Sequence, residues 1–181
     1  EPPEDARTLH ELLLRLAERR QALAREIAAF ARYQPALRRA LAPLVRAEAR
    51  LRARLRGAAG AAAQAGAFAD FARAVERSRE QLDALGPPAV LRSAHAAQAQ
   101  RLTRLADVAR ELGANLGGGD RVRLESLLRR YARLIAQTDS AEQRRVRAAA
   151  VRSYNGRVRA LDEIAAAIRA EQRRLERALS G

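Results

Sequence analysis

From Leu9 to Leu55 the large apolar residues keep one unbroken alternation of four- and three-residue steps: Leu9, Leu13, Leu16, Leu23, Ile27, Phe30, Leu37, Leu41, Leu44, Leu51 and Leu55. The places that this register skips are held by Arg20, Gln34 and Glu48, spaced fourteen apart. Such spacing lays a narrow apolar stripe along a helix, the seam of a coiled-coil-like bundle. The phase does not reset at Pro35 or Pro43, although each proline removes a backbone hydrogen bond and crowds the turn before it. Two readings follow: one long helix bent at its prolines, or a hairpin near Pro35 with an accidental match of phase. The continuity of the register favours the bent helix.

The rest of the chain reads helical as well, and no period-two run rich in Val, Ile and Thr occurs. Two glycine-rich stretches, residues 57–67 and 113–120, divide it, since consecutive glycines make helix continuation costly. Weaker breaks stand at Pro87-Pro88 and at Thr138-Asp139-Ser140. The second segment carries Phe68, Phe71, Val75, Leu82 and Leu85. Beyond the Gly86-Pro87-Pro88 elbow its stripe resumes with Leu91, Leu102, Leu105, Ala109, Leu112 and Leu116, and includes His95 and Gln98. The third has Leu124, Leu128, Tyr131 and Ile135, then Val151, Tyr154, Val158, Leu161, Ala165, Ile168, Leu175 and Leu179, interrupted at Gln172. Thr8-Leu9-His10-Glu11 and Ser140-Ala141-Glu142-Gln143 fit capping boxes, Asp5 is an alternative first cap, and Asp120 fits an N-cap. The expected fold is all-α: one domain, residues 1–181, forming an elongated antiparallel bundle of three long, proline-kinked segments at 6–57, 67–112 and 120–180. The alternative is a compact bundle of five or six shorter helices.

Composition excludes several chemistries. All 35 basic residues are Arg, so a Schiff-base enzyme, a P-loop NTPase and a protein kinase lack the Lys they need. There is no Cys for a disulfide or thiolate metal site, and no apolar run long enough to span a membrane. Arg7 and Arg92 stand three before His10 and His95, where a di-iron bundle requires Glu, and two histidines alone do not make a zinc site. No metal, cofactor or catalytic set is therefore expected. Gly117-Gly118-Gly119-Asp120-Arg121 resembles a phosphate cradle in composition, but it follows no strand and fits a flexible connection ending in an N-cap equally well. The remaining candidates are the polar seam positions Arg20, Gln34, Glu48, His95, Gln98 and Gln172. Residues so placed fix register more often than they bind a ligand.

The formal charge of +14 points to an acidic protein, an anionic surface or nucleic acid. Phe30, Phe68, Phe71, Tyr131 and Tyr154 all lie on apolar stripes, leaving few aromatics for base stacking, and arginines are spread along every segment with acids interleaved. A protein or anionic-surface partner is accordingly favoured over nucleic acid.

Two stretches resemble known families. Leu12-Leu13-Leu14-Arg15-Leu16-Ala17-Glu18-Arg19-Arg20 and the residues on to Phe30 are similar to the first helix of the all-helical chorismate mutases, which implies an arginine site for a dianionic substrate. That family's catalytic Lys has no counterpart here. The run Leu82-Asp83-Ala84-Leu85-Gly86-Pro87-Pro88, with Leu91 and His95, resembles the helix–Pro-Pro–helix elbow of uncharacterised actinobacterial extracytoplasmic proteins, many of lipoprotein type. The tail around Tyr154, Asn155, Val158, Leu161, Ile168, Glu171 and Leu175 is similar to their terminal helix, so about half the chain carries the likeness. It implies export and anchoring, and Glu1-Pro2-Pro3-Glu4-Asp5 reads as a linker after a removed segment. The expected role is a non-catalytic extracytoplasmic module, a spacer or binding scaffold.

Overall fold

One helix, α1, runs from Glu4 to Gly57 with Pro35 and Pro43 inside it, which sets the hairpin reading aside. The computed structural model describes residues 4–137 and 140–180, with the side chains of residues 5, 140–143 and 179 outside that description. The expected cap at Asp5, the capping box at Ser140 and the seam position Leu179 therefore lie outside the described side chains. Proline in a helix interior costs about 3 kcal/mol. Here the carbonyls that lose their donors belong to Ala31 and Arg39, both exposed residues, where solvent can supply the missing bonds. Thr8 is not an N-cap: the helix already begins at Glu4, and the Thr8 hydroxyl donates back to the Glu4 carbonyl at 3.1 Å.

The four further helices are α2 (Ala61–Asp83), α3 (Arg92–Asn115), α4 (Arg121–Gln137) and α5 (Ser140–Ser180), with a single 3-10 turn at Ala89–Leu91. The protein is 92% helical, with no strand among the described residues. Among the described residues five helices fill the three expected segments, the second and the third each being divided in two. Residues 61–66 are helical because alanine is the strongest helix former, so the first break narrows to residues 58–60, where Gly60 has a φ of 105° that suits glycine alone. The Pro-Pro elbow splits the second segment: Pro88 is extended, and its carbonyl accepts from Leu91 N–H to start the 3-10 turn. Asp120 is the expected N-cap, its Oδ1 accepting from Arg123 N–H at 2.9 Å.

The contacts divide the chain into two units. Residues 31–146 form a bundle from the second half of α1 with α2, α3 and α4. Its core holds Leu44, Leu51, Phe71, Val75, Leu82, Leu102, Leu105, Val108, Leu112 and Leu127. Burial at each such site is worth about 1.5–3 kcal/mol. Helices α2 and α3 approach closely, since a Cβ on Gly113 would stand 3.2 Å from the Ala65 carbonyl oxygen.

Residues 1–30 and 147–181 form the other unit, a hairpin of the first half of α1 with α5. Phe30 meets Tyr154 edge to face at 5.7 Å, and the Tyr154 hydroxyl donates to the Glu26 carbonyl at 3.4 Å. From that shared end the buried Leu23 precedes Phe30 and the buried Ile168 follows Tyr154, so the helices run antiparallel.

The seam of this unit is rotated from the expected one. Leu9, Leu16, Leu23 and Phe30 form one column as expected, but the second is Leu12 and Glu26, while Leu13 and Ile27 are exposed. Helix α5 behaves alike: Tyr154, Leu161, Ile168 and Leu175 hold, joined by Ala150, Ile164 and Glu171, while Val151 and Val158 are exposed. At 100° per residue the rotation is about 50°. Two helices alone enclose only a narrow strip, and either neighbouring column could have completed it.

Candidate functional site

The six polar seam positions separate into three environments. Arg20 and Gln172 are exposed on the hairpin unit, off the seam for the reason just given, and Glu171 takes the place expected of Gln172. Glu171 accepts from Arg174 at 3.0 Å through Oε1, while its Oε2 is buried without a partner. Gln34 is half-buried on α1 in the bundle unit. Glu48 is half-buried and paired with Arg52 one turn on.

His95 and Gln98 lie one turn apart on α3, and the bundle answers each with a polar group. His95 Nδ1 and the Tyr33 hydroxyl are 2.9 Å apart in a hydrogen bond whose donor is set by the imidazole tautomer. Gln98 Oε1 accepts from Arg101 at 2.9 Å. Tyr33 is buried, and desolvation raises its hydroxyl above the ordinary tyrosine range. The sequence reading passed over Tyr33, which sits one place off the expected stripe. Its signal was a second column seven apart, Glu26, Tyr33, Ala40 and Ala47.

A second polar–aromatic contact closes the other end of the bundle. Tyr131 of α4 meets Phe68 and Phe71 of α2 edge to face at 6.0 and 5.9 Å. Its hydroxyl is pushed up to about 12, chiefly by burial and then by the Glu48 carboxylate, against a smaller opposing effect of Arg52. Tyr131 of α4 and Leu41 and Leu55 of α1 pack against the same core, with Tyr131 in electrostatic reach of Glu48.

That adjacency has an electrostatic consequence. Ion pairs lace three sides of the bundle: Arg54 with Asp70 joins α1 to α2, Glu76 with Arg110 joins α2 to α3, and Glu111 with Arg123 joins α3 to α4 at 3.7 Å. The hydrogen bond from Arg54 holds the Asp70 carboxyl below its ordinary range, helped by Arg73. Between α4 and α1 no ion pair occurs among the described residues. Residues 32–56 hold eight arginines against Glu48 alone, and α4 holds five against Glu125. Helices α2 and α3 together carry seven arginines against six acids. Arginines lie along every segment, as expected, but within the bundle unit the net positive charge is concentrated on two of its four helices. Arg32, Arg39 and Arg46 repeat every seven residues along α1, and Arg129 and Arg133 stand one turn apart on α4, all exposed.

Other features offer less. No group of three His, Asp or Glu among the described residues is placed to hold a metal ion. The glycine-rich loop before α4 meets a helix start already capped by Asp120, so the position an anion would take holds a carboxylate. A shallow groove of about 530 Å³ between α2 and α3 is floored by Ala65, Gly66, Ala69, Gly113 and Ala114, and the arginines on its rim, Arg73 and Arg110, are already paired with Asp70 and with Glu76 and Asp107. No helix is long and apolar enough to cross a membrane, among the described residues. No family model, curated protein or solved structure matches the chain.

Proposed function

We propose that this protein is a non-catalytic helical scaffold, acting outside the cytoplasm, which binds an acidic protein or anionic surface through the α1–α4 side of its bundle unit. The observation that carries the reading is the gathering of thirteen arginines and two acids on residues 32–56 and α4, beside a nearly neutral α2–α3 pair. Like charge on adjacent helices weakens the fold and strengthens attraction for an anion, so the arrangement suits binding better than stability. The extracytoplasmic placement rests on the resemblance of the Pro-Pro elbow and the terminal helix.

Nucleic acid is the rival partner. Against it, all six aromatic residues are buried or half-buried, so none is available to stack on a base. Polarisation titrations with a labelled polyglutamate peptide, vesicles containing an anionic lipid, and duplex DNA, each at about 0.15 M salt, decide between them. The proposal expects binding to peptide or vesicles that falls about tenfold when Arg39, Arg46, Arg129 and Arg133 become Gln. The control, Arg77 and Arg104 to Gln, should change little. Equal losses in both sets would remove the site, and tight DNA binding with a steep salt slope would install the rival.

A further inference from the structure

We infer that the hairpin unit associates with a second copy of this chain through the face bearing Leu13 and Ile27 of α1 and Val151 and Val158 of α5. These side chains are 43–45% exposed. The rotated seam puts them on one side: a two-fold axis perpendicular to an antiparallel pair relates its helices. The residue that follows the inner seam column therefore projects the same way from both. Leu13, Arg20 and Ile27 follow that column on α1, and Val151, Val158 and Ala165 follow it on α5.

An apolar stripe three columns wide is the pattern of a helix packed among several others, whereas a two-helix seam needs only two columns. Pairing two hairpins face to face completes a four-helix arrangement and covers the third column on every helix. The face runs about 40 Å along α1 and is two helices, about 20 Å, wide. That gives a footprint near the roughly 800 Å² per partner of a stable complex.

Charge selects a second copy as the occupant. Two chains of +14 repel one another over most of their surface. This face carries Arg20, Asp162, Arg169 and Glu176, with His10, Ala17, Ala24 and Asn155 beside the apolar residues. The opposite side of the hairpin carries Glu11, Arg15, Glu18, Arg25, Glu163 and Arg174. With Phe30 level with Tyr154, Ile27 stands level with Val158 and Arg20 with Ala165. A two-fold axis along the hairpin then sets Ile27 against Val158 of the partner subunit and Arg20 beside Asp162 of the partner subunit. The other isologous packing, α1 on α1, would bring the two Arg20 side chains together.

Sedimentation equilibrium of the full chain, with no anionic probe present, tests this independently of the proposed binding function. The monomer mass is 19.9 kDa, and a species of about twice that mass is expected at micromolar concentration. Ile27→Glu with Val158→Glu should raise the dissociation constant at least about tenfold while leaving the circular dichroism unchanged, because both residues are exposed. Arg20→Asp and Asp162→Arg should each weaken the dimer, and the double exchange should restore it. A parent chain that stays monomeric at about 100 μM overturns the inference. So does a dimer indifferent to the glutamate pair, or a monomer that instead binds neutral lipid vesicles through this face. Restoration failing in the exchange would overturn the α1-on-α5 packing.

Discussion

The Tyr33 hydroxyl lies 2.9 Å from His95 Nδ1, joining α1 to α3 across 62 positions of sequence, with the two rings tilted at 5.9 Å. The contact combines a part-buried hydrogen bond with the burial of an aromatic ring. Tyr33→Phe should cost about 1 kcal/mol by leaving the imidazole nitrogen unmatched. Tyr33→Ala should cost about 3–5 kcal/mol by also opening a cavity. Urea unfolding of both variants separates these effects, and equal losses would show that the hydroxyl contributes nothing.

Tyr131 makes stability depend on alkaline pH. Its folded pKa is raised from 10.0 to about 12, so its neutral form is favoured by folding. The contribution is full below pH 10 and is lost as pH rises from there through about 12, amounting to on the order of 2 kcal/mol. Tyr131→Phe should therefore match the parent near pH 7 and exceed it in stability at about pH 11. Urea midpoints at the two values check this; a variant that loses as much stability as the parent between them would refute it.

The rotated seam is tested at two neighbouring positions. Glu171 has one buried oxygen without a partner, whereas Gln172 is exposed. Glu171→Leu should raise stability by about 1 kcal/mol, because an unsatisfied carboxylate oxygen gives way to an apolar contact. Gln172→Leu should stay within about 0.5 kcal/mol of the parent. Thermal melts giving the reverse order would restore the register expected from sequence.

Helix approach gives a further contrast. A Cβ at Gly113 meets the Ala65 carbonyl oxygen at 3.2 Å, while at Gly66 its nearest contact is the end of the Arg54 side chain at 3.6 Å. Gly113→Val should destabilise by about 1–3 kcal/mol through overpacking. Gly66→Ala should stabilise by roughly 0.5–1 kcal/mol, since alanine orders the helix at lower entropic cost. Chemical denaturation of the two variants reads the sign directly.

How far the sequence was legible depends on which column is asked about. Leu9, Leu16, Leu23, Phe30, Leu37, Leu44 and Leu51 belong to both possible registers, so helix, phase and continuity through the prolines followed from them. The choice between registers did not. Leu12 and Leu13 are equally apolar, and the buried Ala40, Ala47 and Ala150 are indistinguishable in type from many exposed alanines. Tyr33 was hidden between Arg32 and Gln34, and with it the partner of His95. The basic helices were legible as a count of arginines between residues 32 and 56. Their adjacency was not, because it follows from the core that Leu41 and Leu55 of α1 share with Leu124 and Tyr131 of α4.

The hydrogen bond from Tyr154 to Glu26 closes a loop of 128 positions, and the other contacts between α1 and α5 in the hairpin unit are similarly remote in sequence. The bundle, by contrast, is assembled from consecutive helices with short connections. Loop closure over so long a stretch is entropically slow, whereas consecutive hairpins form from nearby segments. During synthesis residues 4–30 therefore emerge with half of their seam missing, and they stay so until α5 has followed. The bundle can condense first, and in doing so it shortens the effective distance between the two ends. Folding of this chain is thus a race with an order built in: the bundle gathers, and the two helices of the hairpin zip together last.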